Sequence, residues 1–508
     1  MKVIYSEFKT KNALKLLNSL IKNLDWQPVS IINFGDHQKN ISNFKKNIFN
    51  NQHEPDFVSL DKIRSLNIDN KKKYSKPLDR SALEKLSKYE NSYFSWFEDT
   101  TGWNFSYHER RNYYYDVLSF WNYYLSEIKP DLIFFYTWPH HVSDYPLYLL
   151  AKKIYKINVM YINPIPIFEK RFVLSDSLEN INNQFYEKIN QQNAEININD
   201  EVNKFVNRIL SKKVEIPNYV KKYYEQLDKI NLKSFFKEYL KLLLTFRIFN
   251  KSSIFYKKNT RHISDKNSRL NNIEYLNFRL KNFLKIKSLK KLYLKLCQKI
   301  KDENFIVFLG NYQPEVLSNL IAGHDEDIIN VIKQIRYEIP NSWKIYYKEH
   351  PNIFKGGDKG AMWRSKNFYN ELTKIDGLKL IDYNLNTIDV VDQSKAVATI
   401  SGTVGIEATI RGKHALIFGE SWYGKSEGAH LIRNTFDLKK SLEKIQNDEK
   451  INILNVKKYL QIVYDNSLEE LSNFDPRYYV KGKDILDSEL DIVLEFIKNK
   501  YIEFNDAK

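Results

Sequence analysis

The chain has 508 residues, 43% hydrophobic and 15% aromatic, which is ample material for cores and excludes an intrinsically disordered protein. One cysteine, Cys297, excludes an intramolecular disulfide framework and a cysteine-built zinc site. The net charge of +17 is concentrated, since residues 211 to 300 carry 23 Lys and Arg against 6 Asp and Glu and the rest of the chain is neutral; this argues against a nucleic-acid-binding protein and for a local basic segment that docks on an anionic surface.

At roughly 150 residues per domain the length allows three domains, and two large α/β domains are the expectation. No apolar run approaches the roughly 20 residues that cross a bilayer, and the first residues hold no signal-peptide core, so a cytoplasmic protein is expected.

In chain order, a helix is predicted over 11–23 and a sheet segment over 26–34. The run Asp131-Leu-Ile-Phe-Phe-Tyr136, after a Pro-Asp break, reads as a buried parallel strand. A loop over 137–144, a helix over 145–155 and a strand over 158–162 complete a βαβ unit, with the loop at the strand's carboxyl end, where open α/β sheets bind ligands. Residues 175–300 read as helical insertions and a connector. Within them, 278–300 repeats apolar residues at helical spacing with lysines between. That pattern suits either a membrane interface or a surface helix packed on its own domain.

A second α/β domain is predicted from residue 301, with strands over 304–310, 343–348, 377–382, 396–400 and 414–419. Helices are predicted over 325–338 and 404–411, the latter ending at Gly412 as an αL cap. Alternating strands and helices predict a doubly wound parallel sheet, so the chain reads as two facing α/β domains, 1–300 and 301–508.

Four loops of the second domain follow strands and are expected at one sheet edge. Ser401-Gly402-Thr403 opens a helix, which either binds a phosphate through backbone N–H groups or is simply a cap and turn. Glu407, one turn inside, can accept hydrogen bonds from ribose hydroxyls. His350, fixed by Pro351, can donate to a leaving phosphate with Lys348 adding charge, or it is structural. In the first domain His140, His141 and Asp144 cluster, but their spacing does not suit zinc, and no metal or cofactor is expected. Asp144 and Glu169 are the candidate base or nucleophile, with helix capping the alternative for Asp144.

Together, Tyr312-Gln-Pro-Glu315, Lys348-Glu-His-Pro351, Ser401-Gly-Thr-Val-Gly-Ile-Glu-Ala408 and Phe418-Gly-Glu-Ser-Trp-Tyr423 resemble the capsule polysaccharide biosynthesis family, related to retaining Kdo glycosyltransferases. Pro139-His-His-Val-Ser-Asp144 carries the likeness in the first domain. The resemblance implies a GT-B fold and a metal-independent glycosyltransferase using a CMP- or UDP-linked sugar donor. Gln313, Glu315, Lys348, His350, Ser401, Gly402, Thr403 and Glu407 would then serve the donor, His140 and His141 the acceptor side, and Asp144, Glu169 and His350 the chemistry. The acceptor would be a glycan or lipid-linked glycan, with the 278–300 segment on the inner membrane face. A sugar-nucleotide epimerase of the same fold, or a non-catalytic glycan-assembly scaffold, are the alternatives.

Overall fold

The computed structural model describes residues 1–8, 10–33, 55–60, 63, 75–101, 107–165, 167–168, 171–179, 185, 196–211, 231–247, 249–250, 271–355, 360, 363–471 and 485–506. These form two compact units, one from the described residues of 1–178 and 464–506, the other from those of 179–250 and 271–463.

The first unit runs β1 (Lys2–Ser6), α1 (Lys11–Leu24), β2 (Gln27–Asn33), β3 (Asp56–Ser59), α2 (Arg80–Thr101), α3 (Tyr107–Ile128), β4 (Leu132–Phe135), α4 (Tyr145–Leu149), β5 (Asn158–Pro164) and β6 (Phe172–Ser175). α4 continues as a π-helical turn, Leu150–Tyr155. Thr10 starts α1 by accepting the Ala13 N–H at 3.1 Å, and Leu14, Leu17 and Leu20 recur at helical spacing on its buried face. The sheet order is β3-β2-β1-β4-β5-β6, parallel except that β6 runs antiparallel to β5. A C-terminal helix, Asp487–Asp506, inserts Leu490, Val493, Leu494 and Ile497 into the core that holds Val3, Tyr5 and Leu17.

The second unit runs α5 (Asp200–Leu210), α6 (Leu232–Leu244), α7 (Asn272–Leu296), β7 (Phe305–Leu309), α8 (Ile328–Glu338), β8 (Lys344–Lys348), α9 (Lys366–Thr373), β9 (Leu378–Ile381), α10 (Thr387–Gln393), β10 (Ala396–Thr399), α11 (Val404–Ile410), β11 (His414–Ile417), β12 (Ala429–Leu431), α12 (Thr435–Gln446) and α13 (Ile453–Asp465). Its strands are all parallel, in the order β12-β11-β10-β7-β8-β9. Gly412 closes α11 at φ +74°, the αL cap its position predicts.

Counted from its own first strand, each sheet has the order 3-2-1-4-5-6 of a Rossmann-like doubly wound fold. Strand order reverses between β1 and β4 in the first and between β7 and β10 in the second. Ligands of open α/β sheets bind outside the carboxyl ends of the strands at such points.

Two expectations change. The division falls near residue 179 instead of 300, because α7 belongs to the second unit: Leu289 and Tyr293 pack in its core with Ile306 and Ile345. For the same reason most of the apolar stripe of the basic 278–300 segment is turned into its own unit. Phe283, Ile286, Leu289 and Tyr293 are buried within the unit, and the lysines remain outside together with Leu284 and Leu294.

Candidate active site

Because the second sheet is parallel, the loops after β7, β8, β10 and β11 all leave its carboxyl edge. Asn311 ties the first of these to the third across the switch point. Its side-chain carbonyl accepts from Thr399 Oγ1 at 3.1 Å and from the Ile400 N–H at 3.2 Å. Thr399 Oγ1 in turn accepts the Gly402 N–H at 3.3 Å, so the start of the Ser401–Thr403 turn is held from beneath.

His350 follows β8. Its Nδ1 accepts the Asn352 N–H at 3.2 Å, which leaves the proton of the neutral ring on Nε2. Burial lowers its pKa to about 4; the Glu349 carboxylate opposes this, while Lys348 and Arg364 reinforce it. At neutral pH His350 is therefore an uncharged Nε2–H donor. Lys348 is buried with its ammonium on Thr387 Oγ1 at 3.1 Å, and burial lowers its pKa to about 8 against the pull of Asp382. Its charge is thus engaged at the start of α10.

Ser401 is buried and Gly402, Thr403 and Glu407 are half-buried at the start of α11. Thr403 occupies the cap position without a side-chain cap bond, so capping does not account for its hydroxyl. Tyr423 donates its hydroxyl to the Gly402 carbonyl and packs against Gly405, where an added Cβ would lie 2.4 Å from the Tyr423 oxygen. Only glycine admits this approach. Burial raises the Glu407 pKa, and Arg208 of α5 opposes the shift.

Gln313 is fully buried and its amide is used internally: Nε2 donates to the Ser318 and Glu326 carbonyls at 3.1 and 2.9 Å, and Oε1 accepts from Arg364 Nη1 at 3.0 Å. Its part is to shape the loop. Glu315, beside it, is exposed. Arg364, which sequence reading missed, is the hub. It also donates Nε to Glu349 Oε2 at 2.8 Å, while Tyr369 donates to the same oxygen at 2.9 Å and Glu349 Oε1 accepts the His350 N–H at 2.9 Å. One buried network thus joins the Gln313 loop to the backbone of His350.

A second missed group follows β11. Burial raises the Glu420 pKa to about 7, although Arg433 donates to its Oε1 at 2.7 Å. Burial likewise raises Asp325 to about 6 against the nearby Arg433 and His324. Two carboxyls that titrate near neutrality around one arginine make acid/base exchange available at this edge.

In the first unit the loop after β4 is tied down by Trp121, whose indole N–H donates to the Ser143 carbonyl at 2.6 Å, and by Tyr93, whose hydroxyl donates to the Val142 carbonyl at 2.8 Å. Asp144 is buried at the start of α4 but makes no side-chain cap bond. Its Oδ1 instead accepts the His141 N–H at 2.6 Å. Burial raises its pKa well above the ordinary carboxyl range, and the charge of Glu7 raises it further. Glu7, which sequence reading also missed, is buried at the end of β1 with φ +69°, a left-handed backbone uncommon for a non-glycine residue. Around this carboxyl pair the Ser6 hydroxyl, both polar atoms of Asn33 and the Ser143 hydroxyl are buried without hydrogen-bond partners, as expected where a ligand's polar groups complete the site. The rings of His140 and His141 lie 4.1 Å apart between centroids and are tilted by 37°, and His140 Nδ1 lies 2.5 Å from the Trp138 carbonyl. Among the described residues no three His, Cys, Asp or Glu side chains converge as a metal site. Glu169 lies outside the described residues.

Residues 261–448 match the family model of the capsule polysaccharide biosynthesis proteins. Over that stretch the chain is similar to that family. The matched stretch includes all four loops of the second unit. No curated protein matches the chain. Among solved structures it is similar to the UDP-GlcNAc 2-epimerase of Methanocaldococcus jannaschii, with 14% identity over 92% of this chain and 100% of that one and a TM-score of 0.24. It is also similar to two KpsC structures from Thermosulfurimonas dismutans. The β-Kdo 2,7 transferase shares 10% identity over 72% of this chain and 87% of that one, with a TM-score of 0.27. The β-Kdo 2,4 transferase shares 15% over 36% and 63%, with a TM-score of 0.20. The Rossmann-like assignment rests on strand order, not on these superpositions.

Proposed function

We propose that the protein is a glycosyltransferase of capsule or related surface-polysaccharide assembly, moving a sugar from a nucleotide donor, with CMP-Kdo favoured, to a glycan or lipid-linked acceptor. The observation that supports this reading is the coincidence of the family match with the loops at the second sheet's switch point, the kind of position where open α/β sheets take their ligands. The neutral Nε2–H of His350 and the Ser401–Thr403 turn are assigned to the donor phosphate, and Glu407 to the ribose. A donor with a single phosphate needs no divalent ion to balance a diphosphate leaving group. The carboxyl pair of Glu7 and Asp144 is assigned to the chemistry. A carboxyl that keeps its proton suits proton exchange with a hydroxyl, and to act as a nucleophile Asp144 must first lose that proton.

The test is a thermal-shift titration with CMP, UDP, GDP and ADP on the wild type, His350→Ala and Glu407→Ala. A ligand at about 100 times its Kd adds about 2.7 kcal/mol of stability. CMP-selective stabilisation that both variants lose, with unliganded unfolding unchanged, supports the reading. UDP selectivity moves weight to a hexosyl donor or to epimerisation, which needs no acceptor and is separated by product analysis of the nucleotide sugar alone. No response to any nucleotide counts against transfer and favours a scaffold.

A further inference from the structure

We infer that α6 and the turn after it form a docking surface for an anionic membrane, a role that does not depend on which reaction the protein catalyses. α6 packs one stripe on α7, through Phe235 against Leu276 and Phe283, with Tyr239 and Leu242 beside them. The pairs Tyr239 with Asn277, Glu238 with Arg279 and Phe235 with Phe283 run in opposite order along the two helices, so the helices are antiparallel. The neighbouring stripe of α6 is just as apolar, and among the described residues nothing covers it. Leu232, Phe236, Leu240, Leu243 and Leu244 recur at helical spacing, and Phe236 and Leu244 are 69% and 71% exposed. The turn beyond is more open still, with Phe246 92% and Phe249 81% exposed. Isolated surface leucines need no explanation, whereas this density of them in one short segment does.

The charges beside this stripe identify its occupant. Lys233, Lys237 and Lys241 follow it along the helix, and Arg247 is exposed in the turn. The acid of α6, Glu238, is turned to α7 and neutralised by Arg279, whose Nη1 lies 3.0 and 3.1 Å from its two oxygens. α7 adds exposed Lys281, Lys285 and Lys287 and has no acid after Glu274, which closes the helix's own capping box. An apolar stripe bordered by basic residues alone, on a helix already anchored by its other side, matches the boundary between acyl chains and anionic headgroups. A second copy of the chain would bring the same basic stretch against itself. The membrane contact expected of 278–300 is thus centred one helix upstream, on the element where exposed apolar residues are densest.

The experiment is co-flotation of the full chain with vesicles of phosphatidylcholine alone or with about a third phosphatidylglycerol, at low and raised salt. The expected result is binding to the anionic vesicles at least about tenfold stronger than to neutral ones and weakened by salt. Combined Leu240→Ser, Leu243→Ser, Leu244→Ser and Phe246→Ser should lower that binding about 100-fold or more with the unfolding temperature unchanged. Combined Lys233→Glu, Lys237→Glu and Lys241→Glu should lower it about 100-fold, since each lysine near the surface contributes about fivefold. Failure of the wild type to float with anionic vesicles overturns the inference, as does full binding by the serine variant. A concentration-dependent dimer that the serine variant abolishes, without vesicle binding, assigns the surface to a second copy and overturns it equally.

Discussion

Arg364 meets Glu349 at 2.8 Å with neither side chain reaching solvent, and the same carboxylate accepts the His350 N–H through its other oxygen. A charge pair with no water around it, in contact with the backbone of a candidate phosphate-binding residue, has both a stability and a functional consequence.

Glu349→Gln strips the guanidinium of its counter-ion in a site that cannot hydrate it. The expected loss is roughly 3–5 kcal/mol, measured by denaturant unfolding. Arg364→Met should cost a similar amount, and the double variant less than the sum, because the second change removes the charge that the first leaves unpaired. Additive losses would show that the pair is not coupled as described.

His350, with its pKa lowered to about 4, and His430, lowered to about 3 mainly by burial, both favour the neutral ring in the folded state. Between these values and the unfolded value near 6.5 the unfolded chain binds more protons, so stability rises with pH across that window and is complete above it. His350→Gln and His430→Gln should each flatten the melting-temperature profile between about pH 4 and 6.5 and leave it unchanged above pH 7.

Glu420 behaves in the opposite sense. Its folded pKa near 7 lies above the ordinary glutamate value, so its contribution is complete below about pH 4.5 and is lost as pH rises through 7. Glu420→Gln, which retains an acceptor for Arg433, should therefore be more stable than wild type at pH 8, by at most about 3 kcal/mol, with the difference vanishing near pH 4. Thermal unfolding at the two pH values decides it.

Asp144→Asn is nearly isosteric with the protonated carboxyl the site favours, so folding should be preserved while transfer falls at least about 10³-fold. Glu7→Gln removes the negative charge that raises the Asp144 pKa. The ionisation of Asp144 should then move to lower pH, and the corresponding limb of the activity profile should move with it. A pH–rate profile unchanged in Glu7→Gln would separate the two residues.

The strands around the candidate site were legible because buried parallel strands are short, continuous apolar runs bounded by breaks. Phe305–Leu309, Ala396–Thr399 and His414–Ile417 all fall inside their predicted segments. β1 was not read, although Val3, Ile4 and Tyr5 are its fully buried centre, because three apolar residues at a chain start look like any short run. Polar residues were harder. Gln313 and Lys348 are of a type and position that suit ligand contact, yet one turns its amide into the loop and the other its ammonium to Thr387. Arg364 lies outside every strand and motif, and nothing in its neighbours announces that it is buried. Glu7 becomes visible only when β1 is placed beside β4, which brings its carboxyl within reach of the charge on Asp144.

The first unit's core joins Val3 and Tyr5 to Val493 and Ile497, at opposite ends of the chain. During synthesis the first strand waits on the order of a minute for the helix that covers its sheet. The second unit, complete by residue 463, can close around its own sheet while the first still exposes apolar surface. Nascent-chain protection is therefore needed for the first unit, and removing the helix Asp487–Asp506 would unmask its core while leaving the second unit's sheet able to fold.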